Sequence, residues 1–438
     1  MLRSTLHSTL YQSDLNIYLR ISGIGCALFL LCAANVAAQT DSLSLQQCIQ
    51  RALNYNANVR YAEFGVRGAQ LRHEEFGLTN LPLIAASSHA LWAPDFGYDP
   101  IVTNGGELAA QIGATMPLYD GGVRSLSLDQ SLVDIHRAEG VKNITERDII
   151  FRTKAAYYAL LHAENERTVL QQSVAEMQEY SDLTTRLKAG GTADETDVLK
   201  TLIQLSDEQI LLRENDKEIR GARITLAQVL GGDISTSINI KDSIPLDTSM
   251  VPELDTLRTL DEQQSELAIQ SAKFNVALAE SERRARLLVA ADAGVLTSLD
   301  NLQSQNGVHN ILGFSAYAEF QIPLWNWGLT DRRVQDQQTV VDELQVQDEL
   351  LRKSVVAEWN STREDFLEAK DTFEKFSENL QFAEGNFLLS KAQFAGGHGR
   401  SLEVLDAHRL LADTKLGLEK SRTNILLAKA RIERLTAK

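Results

Sequence analysis

The stretch MPLYDGG at residues 116–122 returns as IPLWNWG at residues 322–328, so that Pro117 and Pro323 stand 206 positions apart. A second pair of motifs keeps this offset, because Ala-Gly-Gly ends at Gly191 and ends again at Gly397. An offset held from one motif to the next predicts an internal duplication. Each copy contains an alternating strand, a Pro-Leu-aromatic turn, a very long helix, a Gly-Gly turn and a second helix.

The segment before each Pro-Leu motif alternates apolar and polar residues. In the second copy Phe314, Ala316, Ala318, Phe320 and Ile322 alternate with Ser315, Tyr317, Glu319 and Gln321. Strict period two predicts a β-strand with one apolar and one polar face. Preceding partners at 83–92 and 287–297 are patterned more weakly. We therefore expect two hairpins, at about 83–118 and 287–323, and hence four strands.

Proline is absent from residues 118–244 and again after Pro323, which leaves room for long helices. The first should run from about residue 123 to 188, or roughly 100 Å at 1.5 Å per residue. Apolar residues spaced by seven predict a packed coiled-coil seam rather than a ligand site. In the second copy these are Phe366, Phe373, Leu380 and Phe387.

The N-terminus has the pattern of an export signal. An apolar run at 21–34 is followed by small residues up to position 38, which predicts a cleaved signal peptide over 1–38, with a retained anchor as the alternative. The remainder divides into a first repeat at 39–232, a linker at 233–260 and a second repeat at 261–438. It carries 41 Lys and Arg against 58 Asp and Glu, a net charge of −17, which argues against a nucleic-acid partner. Cys48 is its one cysteine, so an intramolecular disulfide cannot form.

Helices of about 100 Å cannot cover the apolar face of a small sheet without breaks. Strands of 9–11 residues with alternating faces suit a membrane β-barrel, yet four strands cannot close one. Open strand edges are not tolerated in lipid. These requirements predict that several copies of the chain share one barrel in a symmetric oligomer.

At this point the chain resembles the TolC-type outer-membrane efflux proteins. The resemblance rests on the Pro-Leu-aromatic-Asp/Asn-x-Gly motif after each second strand, on Gly-x(5)-Asp/Glu-Val-Leu at each helical turn, and on the start LSLQQCIQRAL at 43–53. It implies a mainly α fold with a membrane β-barrel. Three copies would form a 12-strand barrel in the outer membrane of a Gram-negative bacterium, continuous with a helical tunnel in the periplasm. Such a duct is passive and works with a periplasmic adaptor (membrane fusion) protein and an inner-membrane pump.

The resemblance also points to residues at the two helical tips. Gly190, Gly191, Gly396 and Gly397 supply the backbone freedom of a tight helix reversal. In the family this region meets the adaptor, so the absence of side chains at Gly191 and Gly397 is interpreted as permitting close contact. The alternative is that these are turn glycines only.

A gate is the second site that the resemblance implies. Glu403 and Asp406 lie three apart, on one helix face. They align with an acidic ring that narrows the periplasmic mouth, where six carboxylates from three copies would favour cations. An ordinary solvated face is the alternative. Asp197 matches an acid in the network that closes the mouth. The position that aligns with the basic partner of this acid is Gly399, so the expected partner is Arg400, one residue later.

Other classes of function have little support in the sequence. The eight histidines are scattered, and no grouping has metal-ligand spacing, so neither a metal nor a cofactor is expected. No nucleophile or phosphate-loop motif stands out, and we expect no enzyme activity. The competing hypothesis is a periplasmic coiled-coil adaptor or scaffold without a pore, which would carry one helical hairpin flanked by compact β domains.

Overall fold

The computed structural model describes residues 42–92, 106–232, 259–298 and 312–437, together with 238–241, 245, 246 and 249. Within these residues the chain forms seven helices and four strands. In chain order they are α1 Leu45–Tyr55, α2 Ala57–Leu78, β1 Leu83–Trp92, β2 Gly106–Tyr119, α3 Val123–Ala189, α4 Glu195–Val229, α5 Leu260–Ser281, β3 Arg286–Ser298, β4 Leu312–Gln321, α6 Leu329–Ala395 and α7 Ser401–Thr436.

The duplication is visible in the lengths of the elements. Helices α3 and α6 have 67 residues each, and α2 and α5 have 22 each. The offset of 206 holds from β2 onward, whereas α2 and β1 precede α5 and β3 by 203 positions. The second repeat therefore has three extra residues between the starts of its two strands, β3 and β4. The predicted fold class, mainly α with duplicated hairpins and four strands, is confirmed.

The four strands form one antiparallel sheet in the order β1-β2-β3-β4. β2 pairs with β3 from Glu107↔Ser298 to Pro117↔Leu288, and a bulge follows before Tyr119. This pairing joins the two internal repeats within one chain. β1 and β4 are the edges of the sheet, and every residue along both strands is exposed. The alternation predicted for β4 places Phe314 and Phe320 on the face opposite Glu319.

The Pro-Leu-aromatic motif starts each 67-residue helix. Asp120 accepts hydrogen bonds from the backbone N–H of Gly122 at 3.1 Å and of Arg124 at 3.0 Å, which satisfies amide groups at the start of α3. Glycine at 121 has a φ of +75°, whereas Trp327 takes the same place in the second copy with a φ of +59°. A bulky residue in the left-handed region is uncommon. The same turn is therefore built with glycine in the first repeat and with a strained tryptophan in the second.

Three clusters of buried side chains hold the helices together. The largest joins α1, α2, α3, α4 and α7 around Tyr157, Leu160 and Leu226. A second cluster lies toward the helical tips, and a third lies between α6 and α7 around Phe366 and Ile425. The predicted seven-residue seam contributes to the second and third, which confirms that these aromatic residues are packed core. Its members there are Phe366, Phe373, Leu380 and Phe387.

Several sequence expectations lie outside the described residues. These are the signal peptide at 1–38, the loops between paired strands and most of the linker at 233–260. Where the structure describes the chain, none of its helices is both long enough and apolar enough to cross a membrane.

Candidate functional site at the helical tips

Both tips use the same backbone turn. At the first, the N–H of Thr192 bonds the carbonyl of Leu187 at 2.9 Å and the N–H of Gly191 bonds that of Lys188 at 3.0 Å. At the second tip, the backbone N–H of His398 donates to the carbonyl of Gln393 at 2.9 Å in the same way. This is the Schellman arrangement, which satisfies carbonyl groups at the end of a helix.

The two glycines of each turn have different roles. Gly191 and Gly397 have φ values of +77° and +78°, so their backbones lie in the region that favours glycine. Gly190 and Gly396 have φ values of −84° and −80°, which any residue adopts. A Cβ at Gly191 would meet open space, and one at Gly397 would meet Thr192 Cγ2 at 3.5 Å. The turn therefore explains Gly191 and Gly397 by itself, and their contact with an adaptor stays a prediction.

Two of the three acidic residues predicted at the mouth, Asp197 and Glu403, are capping residues in this structure. Asp197 accepts from the backbone N–H of Asp194 at 3.3 Å, and Glu403 accepts from that of Arg400 at 3.4 Å. The two pairs are related by the offset of 206. Sequence reasoning gave Asp197 and Glu403 different roles, yet they hold one repeat position. A carboxylate there stabilises the positive end of the helix.

Asp406 lies one turn further along α7 with an exposed carboxylate. Its Oδ1 is 3.9 Å from Arg409 Nη2, and both side chains are largely in solvent. Glu403 is exposed as well, so the two predicted gate acids share an outward face of the helix. Within a single chain the described residues show no ion pair between Asp197 and Arg400, and a link between these two residues stays a prediction. At the first tip Lys188 instead pairs with Glu195.

Beneath the tips, one hydroxyl pair joins the two helical hairpins. The Tyr180 hydroxyl on α3 donates to Ser401 Oγ on α7 at 3.0 Å, and its ring packs against Phe394 with 5.6 Å between centroids. Burial raises the pKa of Tyr180 despite the hydrogen bond to Ser401. Sequence reasoning missed this pair, because no spacing relates residues 221 positions apart.

A second missed feature is a cluster of ionisable side chains around the buried His408, further from the tips. His408 on α7 is 1% exposed, with Nε2 3.6 Å from Glu176 of α3 and Nδ1 3.9 Å from Glu208 of α4. Ser173 Oγ donates to Glu208 at 3.0 Å, and Lys415 lies 3.5 Å from Glu176. Burial lowers the pKa of His408, and the nearby carboxylates of Glu208 and Glu176 oppose that effect.

Among the residues that the structure describes, no group of three or more His, Cys, Asp or Glu side chains is placed to hold a metal ion. The tips present backbone turns and exposed carboxylates above the buried hydrogen bond of Tyr180 to Ser401.

Comparison with known proteins gives the family resemblance. Residues 94–232 match the sequence model of the outer membrane efflux protein family. No curated protein sequence is similar enough to match this chain.

Solved structures match most of the chain. CusC, described for folding and transmembrane channel formation, is 14% identical, with a TM-score of 0.79 over 90% of this chain and 92% of its own. The outer membrane protein VceC from Vibrio cholerae is 15% identical, with a TM-score of 0.75 over 90% of this chain and 96% of its own.

The CmeC outer membrane channel from Campylobacter jejuni is 14% identical, with a TM-score of 0.76 over 92% of this chain and 87% of its own. Similarity at these identities shows the fold. The resemblance to TolC-type outer-membrane efflux proteins is therefore confirmed, through the family match at residues 94–232 and through a fold shared with these solved channels.

Proposed function

We propose that this chain is one subunit of a passive outer-membrane exit duct. Three copies would join their sheets into a 12-strand barrel in the outer membrane of a Gram-negative bacterium, and their long helices would enclose a tunnel in the periplasm. The observation that carries this proposal is a four-stranded sheet with two exposed edges, attached to two 67-residue helices.

The exposed edges favour a lipid setting that contains more than one copy. An unpaired strand edge leaves N–H and C=O groups that lipid cannot satisfy. Among the described residues of the same chain, no helix covers the outward apolar residues of β4, including Phe314 at 89% exposed. Helices α3 and α6 begin where the sheet ends and extend for about 100 Å. A shared barrel removes both edges and places the apolar face in lipid.

The tips are the proposed contact with a periplasmic adaptor and, through it, an inner-membrane pump. Each tip is an exposed Gly-Gly turn, and neither Gly191 nor Gly397 projects a side chain toward a partner. Close approach of another helical hairpin is easiest where the backbone is bare.

The proposed gate is the exposed face of α7 that carries Glu403 and Asp406. In three copies these six carboxylates would surround one axis and attract cations. Arg409, 3.9 Å from Asp406, moderates the negative charge of that face.

The competing function, a periplasmic adaptor or scaffold without a pore, predicts a different behaviour in solution. The native mass of the mature protein, extracted from membranes in mild detergent, separates the two. A detergent-dependent trimer supports the duct. A monomer or dimer that needs no detergent would overturn the duct and favour the scaffold.

A further inference from the structure

Among the described residues, one flank of α2 lacks a neighbour that its repeat counterpart, α5, has. α5 packs against both α3 and α6, while α2 packs against α3. Phe64 and Leu71 of α2 are 66% and 55% exposed, whereas Leu267 and Phe274 at the same positions of α5 are partly buried. A helix equivalent to α3 would cover Phe64 and Leu71. Because α6 is the repeat counterpart of α3, that helix is α6 of a second molecule.

The sheet repeats this relationship. β3 is paired on both sides, by β2 and β4, while its counterpart β1 is paired by β2 alone within the part of the chain that the structure describes. The strand that would complete β1 must be equivalent to β2. Because β4 is the repeat counterpart of β2, that strand is β4 of a second molecule. Sheet and helix therefore call for the same neighbour in the same place.

We propose that the α2–β1 flank of one copy binds the α6–β4 flank of the next in the register that joins the repeats within the chain, with Arg72 paired to Asp336 and His89 paired to Glu319. This inference rests on the proposed function, in which copies enclose one duct, and it names the residues that join them.

The helical pair follows from a contact between α3 and α5. Gln130 Nε2 donates to Asn275 Oδ1 at 2.7 Å. The repeat offsets carry Gln130 to Asp336 on α6 and Asn275 to Arg72 on α2. Both equivalents are exposed within one chain, and their charges are opposite. A neutral amide pair inside the chain thus becomes an ion pair between copies, which also steers their encounter.

The strand pair follows from β2 and β3. Gly113 pairs with Asp292, whose Oδ1 would lie 2.0 Å from a Cβ at Gly113, so the carboxylate extends across the glycine. The offsets carry Gly113 to Glu319 and Asp292 to His89. Across the boundary the acid moves to the other strand and faces an imidazole that donates a hydrogen bond to it. Directly paired residues share a face and lie within reach of each other.

The proposed contact is head-to-tail, because two different flanks meet. Such a contact continues from copy to copy until the ring closes. The ion pair lies on α2, before β1 begins, and the strand pair lies near the end of β1, so together they determine the position of the helices and the register of the sheet.

Charge reversal tests the ion pair in the full-length protein extracted in detergent. Arg72→Glu places a carboxylate opposite Asp336, and Asp336→Arg places a guanidinium opposite Arg72. We expect each single variant to dissociate several-fold faster on heating, and the double variant to return close to the rate of the unmodified protein.

Matched controls are Arg67→Glu on α2 and Asp342→Arg on α6. Their counterparts, Gln270 and His136, are exposed even where the repeats pack, so neither control should change the rate. A double variant that dissociates as fast as the effects of the single variants combined would overturn the ion pair while leaving the duct intact. An unmodified protein that extracts as a single copy would overturn the proposed function itself.

Discussion

The hydroxyl of Tyr180 and the hydroxyl of Ser401 lie 3.0 Å apart in the core beneath the tips, where they join α3 to α7. Both residues are buried, and Phe394 covers the tyrosine ring. This hydrogen bond is a direct polar link between the two helical hairpins of one chain.

Replacing Tyr180→Phe should destabilise the fold by about 1–2 kcal/mol, because the Ser401 hydroxyl is left buried without its partner. Thermal unfolding of the detergent-extracted protein measures the loss. Tyr55→Phe, on the exposed surface at the end of α1, is the matched control and should change little. If Tyr180→Phe and the control unfold alike, the link carries no stability.

Acidic pH should weaken the packing of α3, α4 and α7 around His408. Burial lowers the pKa of this imidazole in the fold, so the folded protein binds fewer protons than the unfolded chain, whose histidine pKa is about 6.5. Its contribution to stability is fully present above about pH 6.5 and is lost as the pH falls below that value.

His408→Gln removes this titration and should flatten the dependence of unfolding temperature on pH between about 7.5 and 5. His398→Gln, at the exposed second tip, is the control and should leave the profile unchanged. An unaltered slope in His408→Gln would show that other groups cause the acid sensitivity.

The two glycines of the first tip should respond differently to alanine. Gly191→Ala forces a Cβ into a backbone with a φ of +77° and should cost about 1 kcal/mol, while Gly190→Ala should be tolerated. Comparing the two unfolding temperatures checks this difference. Equal losses would mean that crowding, and not the backbone, selects glycine here.

Neutralising the gate acids should change conduction. Glu403→Gln with Asp406→Asn removes six carboxylates from a trimer, so cation selectivity and block by divalent cations should fall in planar-bilayer recordings. Asp371→Asn with Glu374→Gln, on α6 and away from the tips, removes the same number of exposed carboxylates and controls for lost charge. Conductance and block that match the control variant would remove the gate from the account.

The fold could be predicted from the sequence because its signals are local and repeated. The alternation around Phe320, the absence of proline and the seven-residue seam through Phe387 each act over one element, and the duplication supplies each signal twice. The end of the first long helix, expected at about residue 188, agrees with the observed Ala189 to within a residue, since Gly191 requires a left-handed backbone.

The site was harder to predict because its contacts join distant parts of the chain. His408 meets Glu176 and Glu208 only after three helices have packed, and no motif announces such a cluster. The roles of Asp197 and Glu403 were separated by sequence, although the fold gives both the same capping bond. A capping carboxylate and a gate carboxylate look alike in a sequence.

The central claim, that copies of this chain close one sheet, is tested most directly by cross-linking Ala90→Cys to Ala318→Cys in intact membranes. Ile112 pairs with Ala293 inside the chain, and the repeat offsets carry that pair to Ala318 and Ala90 of adjoining copies. Cys48 is buried and its thiol pKa is raised to about 11, so it should not react.

A short thiol-reactive reagent should give linked products that end at three copies. The control pair, Ala85→Cys with Ala318→Cys, lies five residues out of register, about 17 Å along the strand, and should not link. Absence of any product between copies, or equal linking of the two pairs, would contradict the shared sheet.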